Sequence, residues 1–498
     1  MTSLANFSGL IGDRLSELRE RQLLREDLFI GGVWAPSTSA SRIEVTNPAS
    51  GAVIASVACA TADETIQAVE VADEVMREWS ARTATERADV LVRWYQLILE
   101  NVDDLATILT AEQGKPLVEA KGEITYSAAF VRWYAEEARR SYGEVIPTNR
   151  AGRRLFALRQ PIGVVAAISP WNFPALMIAR KVAPALAAGC GVVLKPPSEA
   201  PLSALALAEL GHRAGLPAGI FNVVHGEPEI VGPVLTSNPL VRMLTFTGST
   251  EVGKLLMAQC SSTVKRLALE LGGNAPFVVF GDADVDQAVR GAIEAKFRNA
   301  GQTCVCANRI IVHASIRDQF VTKFVAAIEE FKVGDGFDPE VTIGPLIDEA
   351  AVAKVERHLL DATSRGAKIV SGGTRHGLGG TYFEPTVLVG VDTSMDITRE
   401  ETFGPVAPIL TFETDEEAAT LANSTESGLA AYFYTRDVGR VFRFGEALEF
   451  GVVGVNTGAI SYEGAPFGGV KQSGLGREGS RHGLDEFTEL KYLCVDGI

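Results

Sequence analysis

The sequence predicts an α/β protein: two doubly wound α/β domains plus a small β oligomerisation module. Three observations point there. The chain has 498 residues, and at about 150 residues per domain that leaves room for roughly three units. Between residues 161 and 280, short apolar runs without alternation are separated by longer helical stretches. Such runs mark strands buried on both faces, and the helices between them mark crossovers. A second series of the same texture fills residues 271–470. Doubly wound sheets hold nucleotide cofactors at the carboxyl ends of their strands.

The elements follow in order. Leu10, Leu15, Leu18 and the Leu23-Leu24 pair suggest an amphipathic lead-in helix. Residues 63–140 read as helical, in apolar-periodic blocks such as ADVLVRWYQLILENVDDLATILTAEQG. The first alternating series then runs IGVVAAIS, ALMIARKVAPALAAG, GVVLK, SALALAELGHRAG, FNVVHG, VRMLTFTG, VGKLLMAQC and KRLALELG. The second runs FVVF, DVDQAVRGAIEAKF, RIIVH, SIRDQFVTKFVAAIEEF, EAAVAKVERHLLDATSRG, PILTF, AAYFYT and GVVGVN. Segment 141–160 and the tail FTELKYLCVDGI look like lone strands, which often pair with another element or a neighbouring subunit. The expected division is a dinucleotide-binding domain of 1–140 and 161–270, a catalytic domain of 271–470, and an oligomerisation module of 141–160 and 478–498.

Composition narrows the function. At 46% apolar and 22% charged residues, the chain has the balance of a globular protein with a large core. A net charge of −16 disfavours a nucleic-acid binder, which needs a basic surface, but leaves room for a small anionic substrate held by a few well-placed cations. Six cysteines without a CxxC pair are too few for a disulfide framework, so the cytoplasm is the expected compartment. The N-terminus has no signal-type apolar core, and Asp13, Glu17 and Glu20 argue against a transit peptide. No stretch has the length of a membrane span, and no metal-ligand cluster is expected.

Two glycine patterns mislead. GLGREG supplies Gly474, Gly476 and Gly479 in GxGxxG spacing, but no strand precedes it, so a loop and helix start is the better reading. GSTEVGKL at 248–255 nearly matches a phosphate loop, yet Leu255 replaces the hydroxyl that would bind magnesium. FTGST still follows a strand and opens a helix, whose free N–H groups and dipole favour a phosphate. A pyrophosphate cradle without catalytic magnesium points to a dinucleotide.

Three residues carry the chemistry. Cys304, in FRNAGQTCVCANR, belongs to no apolar period and could ionise to a nucleophile; the alternative is a packed cysteine. Glu270, in LALELGGNAP, ends an apolar strand, where burial would raise its pKa and suit it to be a general base. Asn172, in SPWNFP, could donate to a developing oxyanion or cap a turn.

LELGGN, the cysteine segment, PWNFP, FTGST, EETFGP at 400–405 and PFGGVKQSGLGRE together resemble the aldehyde dehydrogenase superfamily, in its order and spacing and over nearly the whole chain. The resemblance implies that Cys304 attacks the aldehyde carbon as a thiolate and that Asn172 and the Cys304 N–H hold the oxyanion. It further implies a thioester after hydride transfer, hydrolysed by water that Glu270 activates. Splitting the reaction through a covalent adduct avoids an acylium ion. By the same resemblance, Lys195 contacts the adenosine ribose, Gly248 and Ser249 hold the pyrophosphate, and Glu401 binds the nicotinamide ribose. Trp171, Leu271 and Phe403 would line the cofactor cleft, and the chain would assemble as a homodimer or homotetramer.

The cysteine segment looks like the succinate-semialdehyde dehydrogenase branch. Arg180 and Arg298 could hold a distal carboxylate by charge-assisted hydrogen bonds, and Ser461 could add a neutral donor. The expected substrate is a small aldehyde with a distal carboxylate, succinate semialdehyde first, with glutarate or 2-oxoglutarate semialdehyde as alternatives. In KPPSEAP, Ser198 stands where a carboxylate would repel a 2′-phosphate, which favours NADP over NAD, although Glu199 follows. Cys306 is a candidate redox partner for Cys304, though a CxC disulfide ring is strained in most backbones. A non-catalytic structural relative would lack one of Cys304, Glu270 or Asn172, and an acyl-transferring relative would lack Glu270; all three are present.

Overall fold

A computed structural model describes residues 12–497; Leu10 lies outside them. Residues 12–20 form a helix that buries Leu15 and Leu18, and the Leu23-Leu24 pair is buried just beyond its end. The helical region resolves into Ala62–Ala81, Ala84–Glu100, Val102–Gln113 and Leu117–Ala138. Its boundaries are local chemistry. Thr61 with Glu64, and Thr83 with Glu86, form reciprocal capping boxes that satisfy the first free N–H groups of two of these helices.

The first sheet has eight strands in the order Gly474–Leu475, Arg266–Glu270, Val241–Thr247, Val164–Ile168, Val192–Lys195, Phe221–Val223, Leu28–Ile30, Val33–Ala35. Its five central strands are parallel. The strand order reverses between Val164–Ile168 and Val241–Thr247, so their carboxyl ends splay apart into the crevice where open α/β sheets bind ligands. The antiparallel hairpin Leu28–Ile30 with Val33–Ala35 extends one edge, beyond the reading of the sequence.

The second sheet runs Lys368–Ser371, Thr386–Val389, Val406–Phe412, Ala307–His313, Ala275–Val279, Ala430–Tyr434, Val452–Val455. All its pairings are parallel except that of the edge strand Lys368–Ser371. Each sheet has its own large apolar cluster, one centred on Trp79, Trp94 and Tyr134 and the other on Phe277, Phe280 and Tyr432. The segments that looked like lone strands are not alone: Arg153–Pro161 pairs antiparallel with Thr488–Asp496 over its whole length, and Glu144–Ile146 adds a third strand. Leu490, Tyr492 and Val145 on this small sheet are more than 60% exposed. Among the described residues no helix is long and apolar enough to cross a membrane, and no cluster has the makings of a metal site.

Candidate active site

The crevice is built from the ends of strands. Beyond Ile168 the chain reaches Trp171 and Asn172; beyond Thr247, Gly248 and Ser249; and Glu270 ends its strand, level with Thr247. Facing these are the segments that lead into the second sheet: Leu271–Gly273 before Ala275–Val279, Cys304 before Ala307–His313, and Glu401–Phe403 before Val406–Phe412. A single cavity of about 370 Å³ is bordered by Trp171, Asn172, Gly248, Ser249, Glu270, Leu271, Cys304, Glu401 and Phe403. Chain segments far apart in sequence thus bring the proposed nucleophile, base and oxyanion donor into one cleft.

The approach of the two sheets there leaves no room for side chains on the backbone. A Cβ at Gly273 would lie 2.2 Å from the Cys304 carbonyl oxygen, so only glycine lets the cysteine segment sit against the strand entrance.

Asn172 is held from several sides. Its side-chain amide donates to the Gln302 carbonyl over 3.0 Å, which leaves its second N–H proton free of that bond. Its own carbonyl accepts from Lys115 Nζ at 2.7 Å. The helix Pro174–Ala188 that follows has no side-chain cap of its own; Glu123 Oε1 instead accepts from the Ala175 and Leu176 N–H groups at 3.0 and 3.2 Å. Lys115 and Glu123 form a buried ion pair at 2.6 Å, so each carries a further hydrogen bond besides its charge partner.

Glu270 is 4% exposed, and neither carboxylate oxygen has a hydrogen-bond partner among the described residues. Burial, reinforced by nearby Glu478, lifts its pKa well above the usual carboxylate range against the pull of Arg180, Lys181 and Arg477. Glu478, in the GLGREG segment that sequence reading set aside, is held ionised: burial would raise its pKa, but Lys181 at 2.7 Å and Arg180 at 2.9 Å outweigh it. GLGREG itself forms a short antiparallel strand at Gly474–Leu475 and then a loop that opens the helix Ser480–Asp485.

The state of Cys304 differs from a ready thiolate. Burial pushes its thiol up to about 12, and Glu401 and Glu270 push the same way against Arg180 and Arg298. Before positive charge enters the cleft, the sulfur is therefore protonated. Cys306 does not face Cys304: its sulfur is buried against Lys296, with Nζ at 3.3 Å, and all six cysteines are free. A Cys304–Cys306 disulfide would require Cys306 to leave that contact.

The residues expected to hold a distal carboxylate lie off the main cavity and differ in availability. Arg180 is 3% exposed, paired with Glu478 and stacked on Phe467 at 3.9 Å. Its charge is thus already shared, a point that sequence could not reveal. Arg298 is exposed, lies 5.1 Å over the Phe173 ring, and has no carboxylate partner among the described residues. Both guanidiniums act electrostatically on Cys304 and Tyr126, pulling each pKa down against burial. Ser461 is half-buried in the segment after Val452–Val455.

On the cofactor side, Ser249 caps the helix Thr250–Cys260 by accepting from the Val252 N–H, leaving the first N–H groups of that helix without intrahelical acceptors. A Cβ at Gly248 would lie 2.3 Å from the Phe246 ring, so the backbone there stays bare for a close approach. Glu401 accepts from the Gly273 N–H at 3.1 Å, and burial pushes its carboxyl up to about 7. Phe403, at a positive φ of 56°, meets Trp171 edge-on at 5.5 Å. Ser198 borders an adjoining groove with Glu44, Glu199 and Asp348, and Ile347 and Asp348 border both spaces. Lys195 is buried at the end of its strand, and burial lowers its pKa. A helix N-terminus, a bare glycine and a run of polar groups fit an extended dinucleotide.

Comparison with known proteins agrees with this geometry. The aldehyde dehydrogenase family model matches residues 34–493, and the chain belongs to that family. Within it, the chain is 56% identical to the succinate-semialdehyde dehydrogenase [NADP(+)] of Escherichia coli (strain K12), over 96% of this chain and 99% of that protein. It is also 56% identical to the glutarate-semialdehyde dehydrogenase of Pseudomonas aeruginosa, over 97% of this chain and 100% of that protein. The crystal structure of succinate-semialdehyde dehydrogenase from Burkholderia pseudomallei superposes with a TM-score of 0.95 at 57% identity, covering 96% of this chain and 99% of that one. The protein is an aldehyde dehydrogenase that uses a nicotinamide cofactor.

Proposed function

We propose that this protein oxidises succinate semialdehyde to succinate with NADP, by way of a thiohemiacetal and a thioester on Cys304. The observation that carries the reading is the meeting of Cys304, Glu270 and Asn172 in one cleft, with the unpaired guanidinium of Arg298 nearby. Arg298 takes the distal carboxylate, Arg180 supports it with the part of its fork that Glu478 leaves free, and Ser461 adds a donor.

Cys304 gives its proton up to water in the cleft, and its sulfur bonds to the aldehyde carbon. The free proton of the Asn172 amide and the Cys304 N–H hold the oxygen as it becomes negative. A bound nicotinamide cofactor would supply the hydride acceptor and a positive charge beside the sulfur. Gly248, Ser249 and the helix start behind them would hold its pyrophosphate, Lys195 and Ser198 its adenosine ribose, and Glu401 its nicotinamide ribose, with Trp171, Leu271 and Phe403 as walls. Glu270 then takes a proton from water, whose oxygen attacks the thioester carbon; the C–S bond breaks and succinate leaves. The elevated pKa of Glu270 suits a base that must accept a proton near neutral pH.

Two further readings have support. One methylene is worth only about 1–3 kcal/mol of discrimination, so glutarate semialdehyde is a second substrate. The carboxylates of Glu44, Glu199 and Asp348 beside Ser198 favour NAD, against the serine itself and the NADP in the name of the Escherichia coli relative. The free cysteines suit a reducing cytoplasm, and the exposed apolar residues of the small sheet suit assembly as a homodimer or homotetramer. Initial rates of NADH and NADPH formation with succinate, glutarate and 2-oxoglutarate semialdehydes and an uncharged aldehyde test the substrate and cofactor readings. Succinate semialdehyde with NADP is expected to give the highest kcat/KM, and no preference for carboxylated aldehydes overturns the substrate reading.

A further inference from the structure

Asn299 lies five residues before the nucleophile in a backbone that side-chain-bearing residues rarely adopt. Asn299, Ala300 and Gly301 all have positive φ, at 52°, 56° and 77°. Asparagine tolerates this region and alanine does not, so the turn persists only where its surroundings over-determine it. At Gly301 the backbone is forced as well, since a Cβ there would lie 2.3 Å from the Gly404 carbonyl oxygen.

The bonds that hold the turn converge on Asn299, which is 2% exposed. Its side-chain amide donates to the Asn172 carbonyl at 3.0 Å and the Gln302 carbonyl at 3.4 Å. Its Oδ1 accepts from Gln113 Nε2 at 3.0 Å, and its N–H donates to Glu119 Oε2 at 2.9 Å. Its own carbonyl accepts from Gln302, through the backbone N–H at 3.0 Å and Nε2 at 3.1 Å. The Gln302 carbonyl is also the oxygen that holds the Asn172 side chain.

From this we infer that Asn299 is a positioning residue that ties the two halves of the oxyanion site together. One half, the Asn172 amide, hangs from the first sheet; the other, the Cys304 N–H, belongs to the turn before the second sheet. Asn299 bonds to both segments and is itself anchored by Gln113 and Glu119 at the junction of the helices Val102–Gln113 and Leu117–Ala138. The inference rests on the reading that Asn172 and Cys304 N–H share the developing negative charge. Donors placed on separate domains work together only if something fixes their separation, and a displacement of about 1 Å can cost about 10²-fold in rate.

The test is Asn299→Asp, which keeps a residue tolerant of positive φ and the acceptor for Gln113 but removes the donor to Asn172 and Gln302. Stopped-flow NAD(P)H formation is expected to show kcat and the acylation burst down by about 10²-fold. KM for the aldehyde, and the cofactor affinity read from fluorescence quenching, should stay within about twofold of wild type. Loss of fold alone would instead degrade cofactor binding in parallel. Gln113→Met, which leaves Asn299 in place and removes its anchor, is expected to lower kcat by about tenfold with the same unchanged affinities. A folded Asn299→Asp enzyme with wild-type kcat overturns the inference, as does wild-type kcat in Gln113→Met should the first variant fail to fold. A wild-type protein that oxidises no aldehyde overturns the underlying function instead, and is seen before any variant is made.

Discussion

Lys181 and Glu478, 297 residues apart in sequence, meet in a buried ion pair with Nζ 2.7 Å from Oε1. The pair sits behind Glu270, and the charge of Glu478 is one cause of the elevated Glu270 pKa. The protonation of Glu270, the proposed base, therefore depends on a carboxylate that does not border the main cavity.

Replacing Glu478 by Gln removes the negative charge that favours protonated Glu270. Glu270 then ionises at lower pH, so the acidic limb of the kcat–pH profile is expected to move to lower pH. Arg180 and Lys181 are left as buried cations without their partner, which should cost about 3–5 kcal/mol and appear as a lower Tm. Both shifts are read from a pH series of initial rates and a thermal melt; an unmoved acidic limb refutes the coupling.

Glu270→Gln separates the two halves of the reaction. The thioester should still form, giving a burst of NAD(P)H equivalent to the enzyme present, while steady-state turnover falls by about 10²–10⁴-fold. Stopped-flow absorbance measures both, and a burst lost together with turnover places Glu270 earlier in the sequence of steps.

Arg298→Leu is expected to raise KM for succinate semialdehyde by about 10–100-fold, the size of a charge-assisted hydrogen bond, and to leave an uncharged aldehyde within about twofold. Equal losses on both substrates count against carboxylate capture.

Ser198→Glu places a carboxylate where the 2′-phosphate of NADP would lie. Relative kcat/KM for NADP over NAD is expected to fall by at least about tenfold, since like charges brought together at a binding surface cost several kcal/mol. An unchanged ratio means the ribose binds elsewhere.

Much of this was legible from the chain alone. Buried parallel strands read clearly because segments such as IGVVAAIS and VRMLTFTG are apolar on both faces. Cys304, Glu270 and Asn172 stood out as polar residues beside apolar strands or among small ones. The hairpin Leu28–Ile30 with Val33–Ala35 escaped notice because its strands are three residues long, although the Gly31-Gly32 pair, both at positive φ, marks its turn. Glu478 was passed over because its segment reads as a glycine-rich loop, and only the fold reveals that it faces Lys181 and Arg180. The thiol state of Cys304 was out of reach for the same reason: burial between the two sheets, helped by Glu401 and Glu270 from distant parts of the chain, holds it protonated.

Gly474–Leu475 hydrogen-bonds back to the strand that carries Glu270, and Thr488–Asp496 completes the small sheet against Arg153–Pro161. A nascent chain therefore cannot finish the first sheet until Gly474–Leu475 has left the ribosome, or the small one until Thr488–Asp496 has. Synthesis that stops short of residue 474 yields a polypeptide with Cys304 made but the strand beside Glu270 missing, so messages that end before that point should produce inert protein.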